Sequence, residues 1–261
     1  MSYRFTDMFT GVLLLAVGIS VSLILTIVAV QAAYTGIGPI LEAISDSGNV
    51  HAITLSLCTT TVASVLALLL AIPTGYALAR WNFKGVWLID ALLVVPVVMS
   101  PMALGVALLL FFQTSTGKWI DRDLIRFVFE VPGIILAQFF LAYAFSVLII
   151  KATFAGIDVR LEQVARFLGC SRWKAFRHVS LPLARNGILA AFILAWARAI
   201  GDFGSTSTIG GAVPGETETI PISIYLNLAT VSLDQSVALS LLLTFLTIAA
   251  VMVICFLLQK R

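Results

Sequence analysis

Residues 160–182 read RLEQVARFLGCSRWKAFRHVSLP, a basic and amphipathic segment between two long apolar runs. Its first apolar residues follow helical spacing and define one face of a short helix: Leu161, Val164, Ala165 and Leu168. Gly169 comes next, at the position where a helix commonly ends in a left-handed cap. The pattern therefore predicts a short helix that ends at Gly169 and has one apolar face.

The second half of the segment predicts another short helix. Ser171 can cap its N-terminus, and Trp173, Phe176 and Val179 recur at every third position. Pro182 cannot sit inside that helix because it lacks a backbone N–H, so it predicts a turn back toward the apolar runs. Two interpretations stay open at this point: a surface that a soluble partner binds, or an ordinary loop whose charges only set the topology.

The composition identifies a membrane protein. Of 261 residues, 60% are hydrophobic and 11% are charged, and the mean hydropathy is +1.06. A soluble domain of this length cannot bury so much apolar surface. Crossing a hydrocarbon core takes about 20 helical residues. Six runs are long enough, near 11–33, 52–79, 86–112, 132–151, 187–209 and 236–258. We therefore predict an all-α integral membrane protein with six transmembrane helices, as a single domain over residues 1–261.

The distribution of charge predicts the orientation. Most of the 16 Lys and Arg residues lie at the N-terminus (Arg4), in the loops 80–85 and 151–185, and at the C-terminus (Lys260 and Arg261). The loops on the other side contain few basic residues. By the positive-inside rule, both termini and the basic segment are predicted to be cytoplasmic, in a multi-pass protein of the cell membrane. The basic residues are topology signals, and the net charge of +3 suggests no binding of nucleic acid.

The sequence lacks the common signatures of an enzyme. It has no G-x-x-x-x-G-K-[ST] phosphate loop, so the chain is not expected to bind ATP in the usual way. It has two histidines, and no Ser/His/Asp or Cys/His set gathers in the spans. Cys58, Cys170 and Cys255 are scattered and predict neither a disulfide framework nor a metal site. No catalytic residue is therefore predicted.

Arg198 and Asp202 are ionisable residues in the fifth predicted span. Ionisable groups inside a bilayer are costly, and residues four apart share a helix face, so the two can form an ion pair. Either the two charges only neutralise each other, or Arg198 lines the path of an anion and Asp202 holds its orientation. The next residues supply hydroxyls and break the helix, which membranes tolerate where protein or water covers the backbone. We therefore predict that these residues form the outer part of a pathway: Ser205, Thr206, Ser207 and Thr208.

The basic segment resembles the E-A-A-x3-G-x9-I-x-L-P motif of ABC-importer permeases. The spacing matches in full, with Gln163, Ala165, Gly169, Leu181 and Pro182 at motif positions. In that family the motif forms coupling helices that dock in a groove of the ATP-binding subunit. Gln163 replaces the Glu of the motif, and Glu162 stands one residue earlier and can supply the charge. The resemblance implies a coupling loop at 152–186.

The resemblance extends along most of the chain and is closest to molybdate and tungstate permeases. Ala197 to Gly204 is similar to the A-R-x-x-G-E-F-G block of that group, with Asp202 in place of Glu. The segment from Gly210 to Tyr225 is similar to G-N-x-P-G-x-T-x-T-x-P-x-x-I-Y, with Ala212 where Asn is usual. Sulfate permeases share the first block, so a sulfate or thiosulfate permease is the alternative.

The resemblance implies a type I importer fold and a set of partners. These are a second copy of the chain, two ATP-binding subunits that use ATP and Mg²⁺, and an extracytoplasmic oxyanion-binding protein. The chain itself is expected to hold no cofactor and no metal. A secondary transporter is less favoured because the sequence shows no convincing repeat and no second cluster of buried carboxylates. A membrane scaffold would not need Arg198, Asp202 and the hydroxyls that follow.

Overall fold

The computed structural model describes residues 8–36, 38–81, 84–230 and 233–259, and these ranges are helical apart from turns, with no strand. Their α-helices are α1 (Met8–Thr35), α2 (Gly38–Ser45), α3 (Ser47–Arg80), α4 (Val86–Val98), α5 (Pro101–Gln113), α6 (Ser115–Trp119), α7 (Val131–Ala155), α8 (Val159–Phe167), α9 (Arg172–Ala175), α10 (Leu181–Ile200), α11 (Gly204–Gly210), α12 (Ile220–Ala229) and α13 (Leu233–Gln259). Single π-helical turns follow α6 at Ile120–Leu124 and α9 at Phe176–Ser180. The termini, with Arg4, Lys260 and Arg261, lie outside the described residues.

Five helical segments of the described chain are long and apolar enough to cross a membrane: Thr10–Thr35, Ser47–Arg80, Val131–Ala155, Arg172–Ile200 and Leu233–Val253. The third predicted span, 86–112, is not one continuous helix, because α4 and α5 meet at an angle of 110°. Ser100 is extended at the junction, with ψ 135°. The residue before a proline avoids the helical conformation, so Pro101 ends α4 and begins α5.

The helix of the coupling loop does not end at Pro182, so that prediction is wrong. The chain stays helical from Arg172 to Ile200. The π-helical turn lies directly before the proline, and in it the N–H of Leu181 donates to the carbonyl of Phe176. Pro182 then occupies the first turn of α10, where its missing N–H costs little. The predicted fifth span therefore ends at Ile200 rather than 209, and α11 is a separate short helix.

The centre of the bundle is the contact between α3 and α7, and α10 packs against both. Small buried residues recur every four positions on α3: Ala63, Ala67, Ala71 and Gly75. A Cβ atom at Gly75 would lie 2.8 Å from Cγ2 of Ile150 on α7, so the two backbones are close. Close packing of small residues is a main source of helix association in lipid, where the hydrophobic effect between helices is weak.

This arrangement separates the two predicted functional regions. The coupling loop precedes α10, and α11 follows the other end of that helix. A helix of 20 residues is about 30 Å long. The coupling loop and the hydroxyl-bearing segment therefore lie at opposite ends of one helix, which connects them directly.

Candidate coupling loop and translocation segment

Gly169 ends α8 in the left-handed conformation that the sequence predicted. Its φ is +92°. The N–H of the next residue, Cys170, donates to the carbonyl of Ala165 at 3.0 Å, and the N–H of Gly169 donates to the carbonyl of Arg166 at 3.0 Å. These two bonds form a Schellman ending, which satisfies carbonyls that the helix leaves free. The motif glycine is required by its backbone conformation.

Capping side chains explain why this polar segment folds as two short helices. The carboxylate of Asp158 accepts a hydrogen bond from the N–H of Arg160 at 2.9 Å and begins α8. The hydroxyl of Ser171 accepts from the N–H of Lys174 at 3.3 Å and begins α9, as predicted. Each cap satisfies a donor of the first helical turn.

An apolar surface on α8 and the turn after it is left open by the chain. Four large side chains are exposed there: Leu161 (47%), Val164 (56%), Phe167 (91%) and Leu168 (82%). Contiguous exposed apolar side chains next to charged residues are typical of a surface that binds another protein. We call these four residues the docking ridge.

The predicted coupling residues differ in their exposure. Gln163, Gly169 and Pro182 are exposed, whereas Ala165 and Leu181 are half-buried. Glu162 is buried, with a residue exposure of 8%. Gln163 is thus free to meet a partner, and the carboxylate of Glu162 is held inside the chain.

Glu162 joins three parts of the chain through its carboxylate. Oε2 accepts from the hydroxyl of Tyr76 at 2.8 Å, and Oε1 accepts from Nε of Arg80 at 2.8 Å and from the hydroxyl of Ser180 at 2.7 Å. Arg80 also forms an ion pair with Glu162 and donates to the carbonyl of Ile157. Burial raises the pKa of Glu162, but the hydrogen bonds from Ser180, Tyr76 and Arg80 outweigh it, so the pKa of this carboxyl is below its ordinary value.

The partners of Glu162 were not predicted from the sequence. Tyr76 and Arg80 are four residues apart at the end of α3, so helical spacing places them on one face beside the loop. The spacing of Tyr76 and Arg80 is visible in the sequence, but nothing in the sequence links these two residues to Glu162, which is more than 80 residues away. A second ion pair was also missed: Nζ of Lys151 on α7 lies 2.6 Å from Asp90 on α4.

Asp202 caps α11 instead of pairing with Arg198. It is 1% exposed, and its Oδ2 accepts from the hydroxyl of Ser205 and from the N–H of Thr206 at 3.1 Å. In the part of the chain that the structure describes, Arg198 and Asp202 form no ion pair. The predicted pair required one continuous helix, and α10 ends at Ile200 before the turn that leads to Asp202.

Arg198 therefore has no ion pair among the residues that the structure describes, although its charge still attracts the carboxylate of Asp202 at longer range. This arginine is half-buried near the end of α10, and within the described residues it has no side-chain hydrogen bond either. Leu194 and Gly201, one helical turn away on either side, are exposed. The guanidinium lies on the side of α10 that this chain leaves uncovered.

The predicted hydroxyl-bearing residues of the path bond to their own helix. Thr206 donates to the carbonyl of Asp202 at 2.8 Å, and Thr208 donates to the carbonyl of Gly204 at 2.6 Å. Ser205 and Thr206 are fully buried, whereas Ser207 and Thr208 are half-buried. Within one copy of the chain, these side chains stabilise α11, and their place on a path stays a prediction.

The second half of the broken span, α5, packs tightly against α11. A Cβ atom at Gly105 would lie 2.6 Å from Cβ of Thr208 and 3.1 Å from Cα of Ser205. A Cβ atom at Gly204 would lie 2.9 Å from the backbone nitrogen of Met102. The contact leaves no room for larger residues at Gly105 and Gly204, so the backbones of α5 and α11 lie close together.

The short segment 125–130 follows the π-helical turn at Ile120–Leu124 and contacts the end of α11. The N–H of Phe129 donates to the carbonyl of Ile209 at 2.8 Å, and Phe129 itself has a φ of +60°. A Cβ atom at Gly211 would lie 2.7 Å from the ring of Phe129. Ala212 follows with a φ of +51°, a conformation that Asn adopts more readily than Ala. This geometry gives a physical reason for the usual Asn at that position.

Comparison with known sequences finds relatives among transport permeases. The chain is 32% identical over 220 residues to the sulfate transport system permease protein CysW of Escherichia coli K12, covering 82% of this chain and 76% of that protein. It is 37% identical over 172 residues to the molybdenum transport system permease protein ModB of the same strain, covering 62% and 74%. It is 36% identical over 166 residues to the molybdate/tungstate transport system permease protein WtpB of Thermococcus kodakarensis, covering 64% and 63%.

Solved structures and a family model agree on the fold. A chain from the crystal structure of a bacterial alginate ABC transporter, in complex with alginate pentasaccharide-bound periplasmic protein, superposes with a TM-score of 0.69 at 15% identity and covers 98% of this chain and 96% of its own. The predicted all-α permease fold is thereby confirmed. Residues 68–261 match the model of the family described as the binding-protein-dependent transport system inner membrane component. With its motif, fold and sequence in agreement, the chain belongs to this family of ABC-transporter permeases.

Proposed function

We propose that this chain forms the translocation path of an ATP-driven importer of tetrahedral oxyanions, with molybdate or tungstate as the cargo. In this proposal two copies of the chain assemble with two ATP-binding subunits, which use ATP and Mg²⁺, and with an extracytoplasmic oxyanion-binding protein. The coupling loop and both termini lie on the cytoplasmic side of the cell membrane. The chain supplies the path and the coupling element and performs no chemistry.

The observation that supports an anionic cargo best is the state of Arg198. A cation in a membrane span is costly unless it faces an aqueous cavity or a counter-charge. Asp202 is engaged by the first turn of α11, and the side of α10 around Arg198 is uncovered. An oxyanion passing between two copies supplies the missing counter-charge. A single contact per copy also suits a path that must release its cargo.

The geometry of the coupling loop suits a lever driven by the ATP-binding subunits. The docking ridge is exposed, and Glu162 fixes α8 to the end of α3 and to the start of α10. Closure of the ATP-binding subunits on nucleotide would push α8, and the two span helices would move with it. Hydrolysis would then restore the inward-open state, as in other two-state transporters.

The choice between molybdate or tungstate and sulfate depends on the relatives. Identity is higher to the molybdenum and molybdate/tungstate permeases, at 34–37%, than to the sulfate permease, at 32%. The sulfate permease, however, aligns over a larger share of this chain. Import of sulfate or thiosulfate is therefore the second candidate.

Uptake by the full complex in proteoliposomes tests the proposal. Labelled molybdate, tungstate and sulfate are each supplied with the external binding protein, and for molybdate the other two compete unlabelled. We expect ATP-dependent uptake that tungstate suppresses at lower concentration than sulfate. Suppression by sulfate alone would assign the second candidate, and the absence of ATP-dependent uptake for all three anions would contradict both.

Substitution of Arg198 tests the proposed path. Charged hydrogen bonds contribute about 1.5 kcal/mol or more, so Arg198→Gln should lower uptake by about tenfold or more while ATP-binding subunits still assemble. Arg185→Gln is the matched control, because Arg185 is an exposed arginine near the start of the same helix. Full uptake by a well-folded Arg198→Gln complex would remove this residue from the path.

A further inference from the structure

A cavity of about 850 Å³ lies between the end of α3 and the coupling loop. Its wall on the α3 side contains the apolar residues Pro73, Ala77 and Trp81 beside Thr74, Tyr76 and Arg80. Its wall on the loop side carries Arg166 and Arg172. The cavity is therefore amphipathic: apolar residues line both walls, and two exposed arginines stand on the loop side.

The cavity is separate from the docking ridge. Four residues of α8 line it at helical spacing: Val159, Glu162, Gln163 and Arg166. The α8 residues of the docking ridge, Leu161, Val164 and Phe167, are not in its lining, and of these Phe167 lines the adjoining hollow instead. One side of α8 is thus available to an ATP-binding subunit, and another side faces the cavity.

The cavity carries a positive charge that the chain does not neutralise. Three of its lining residues are arginines, and the single carboxylate, that of Glu162, is engaged by Arg80, Tyr76 and Ser180. Arg166 and Arg172 have no ion pair and no side-chain hydrogen bond in the described part of the chain. Both, together with Gln163, also line an adjoining hollow of about 580 Å³. The two guanidinium groups are free to bind an anion from outside the chain.

Two tryptophans indicate the level of the cavity in the membrane. Trp81 ends α3 and is 55% exposed, and Trp173 begins α9 and is 66% exposed, and both belong to the lining. Tryptophan side chains are enriched where a span meets the headgroups of the lipids. The cavity therefore opens at the membrane surface on the side of the coupling loop.

We propose that this cavity is a binding site for an anionic phospholipid. Arg166 and Arg172 bind the phosphate group, as arginines bind phosphate elsewhere through paired N–H donors, and an acyl chain lies along Pro73 and Ala77. Basic pockets between span helices on the cytoplasmic side bind anionic headgroups, and the cytoplasmic leaflet supplies such lipids. The assignment rests on the cytoplasmic position of the coupling loop in the proposed function.

Lipid binding is measured on the purified full-length chain in nanodiscs of neutral phosphatidylcholine that contain increasing phosphatidylglycerol. Native mass spectrometry counts the bound phosphatidylglycerol, which gives its Kd. Combined Arg166→Gln and Arg172→Gln should weaken binding by about tenfold or more, because it removes the charged N–H donors that bind the phosphate directly. Combined Lys174→Gln and Arg177→Gln is the matched control: it removes two exposed charges from the same loop outside the cavity lining, and Kd should change by less than about threefold.

A second variant tests the apolar end. Ala77→Trp fills the cavity without changing its charge and should weaken phosphatidylglycerol binding to a similar extent. Equal losses in the matched control would show general surface attraction and overturn the site. Displacement of the lipid by millimolar inorganic phosphate or molybdate, at unchanged ionic strength, would assign the cavity to a free oxyanion instead.

The same variants separate this proposal from a protein contact and from transport. If the Arg166 and Arg172 variant keeps its affinity for phosphatidylglycerol but loses the ATP-binding subunit in co-purification, the cavity binds protein and the lipid site is wrong. Lipid binding is measured without cargo or ATP, and the proposed function is tested by uptake. Failure of one is therefore distinguishable from failure of the other.

Discussion

Glu162 shows how one carboxylate can connect distant elements. Its carboxylate oxygens accept hydrogen bonds from Tyr76 and Arg80 of α3 and from Ser180 of the turn that leads into α10. The side chains of Arg80 and Glu162 are 6% and 11% exposed in their ion pair. Removing one partner of a buried ion pair leaves the other charge without compensation. The stability of the coupling loop therefore depends on this residue.

We expect Glu162→Ala to lower the stability by about 3–5 kcal/mol, because Arg80 is left as an uncompensated cation. The loss of stability is measured as a fall in melting temperature, and we also expect the assembled complex to lose its cargo-stimulated ATPase activity. Gln163→Ala is the matched control, since its neighbouring side chain is exposed and its stability should change by less than about 0.5 kcal/mol. Equal melting temperatures for both variants would contradict the role of Glu162.

The lowered pKa of Glu162 adds a pH test to this pair of variants. A carboxyl whose pKa is lower in the folded state stabilises the fold above its unfolded pKa of about 4.3, and the contribution is lost as the pH falls through the lower folded value. The difference in stability between the native chain and Glu162→Gln should therefore shrink on acidification below that range. A difference that stays constant from neutral to acidic pH would contradict the assignment.

Ala212 is a second residue whose backbone permits a specific prediction. Its φ of +51° lies in the left-handed region, which costs ordinary L-residues about 1–2 kcal/mol. Asn tolerates this region, so Ala212→Asn should raise stability by about 0.5 kcal/mol, and Ala212→Val should lower it. Ala229→Asn, at the helical end of α12, is the control and should lower stability slightly. A lower melting temperature for Ala212→Asn would show that another contact dominates.

At the scale of elements, the two coupling helices were predictable because their signals are local. Helical spacing, Ser171 as a cap and Gly169 as a stop all act within a few residues, and the cap at Asp158, which was not predicted, is equally local. The break between α4 and α5 was missed because hydropathy does not detect a change of direction, although Pro101 signalled it. The cap of α11 also had a local signal, since Asp202 is followed closely by Ser205 and Thr206. The contact of Glu162 with α3 depends on the tertiary fold and had none.

Gly169 offers a test of the coupling helices as elements. Its φ is +92°, and a Cβ atom at this position would have no heavy atom within 4 Å, so a substitution costs backbone energy and causes no clash. Gly169→Val should displace α9 relative to α8 and reduce co-purification of the ATP-binding subunit, while membrane insertion stays normal. Gly156→Ala is the control, because Gly156 ends α7 with a φ of −75° that any residue adopts. A fully coupled complex with Gly169→Val would count against the docking role.

At the scale of the whole molecule, the orientation in the membrane decides whether an ATP-binding subunit can reach the coupling loop. The positive-inside rule places residues 46 and 216 outside and residues 84 and 174 inside. Single cysteines at these positions, in a chain without Cys58, Cys170 and Cys255, should react with an impermeant reagent from outside only at 46 and 216. External labelling at 174 would overturn the proposed function, because the docking ridge would then face away from the ATP-binding subunits.

The cap on Asp202 has an electrical consequence for the assembled importer. Because that carboxylate accepts hydrogen bonds from the first turn of α11, Arg198 forms no ion pair within the described residues, and only a longer-range attraction to Asp202 remains. Inorganic cations and hydronium ions meet a repulsive barrier at two such guanidinium groups, one from each copy, whereas a dianion meets a well. Each elementary charge moved across 100 mV involves about 2.3 kcal/mol of electrical work, so a leak of cations through an open path would drain the membrane potential quickly. In the proposed importer, Arg198 would thereby act as a charge filter that repels cations while the anionic cargo passes.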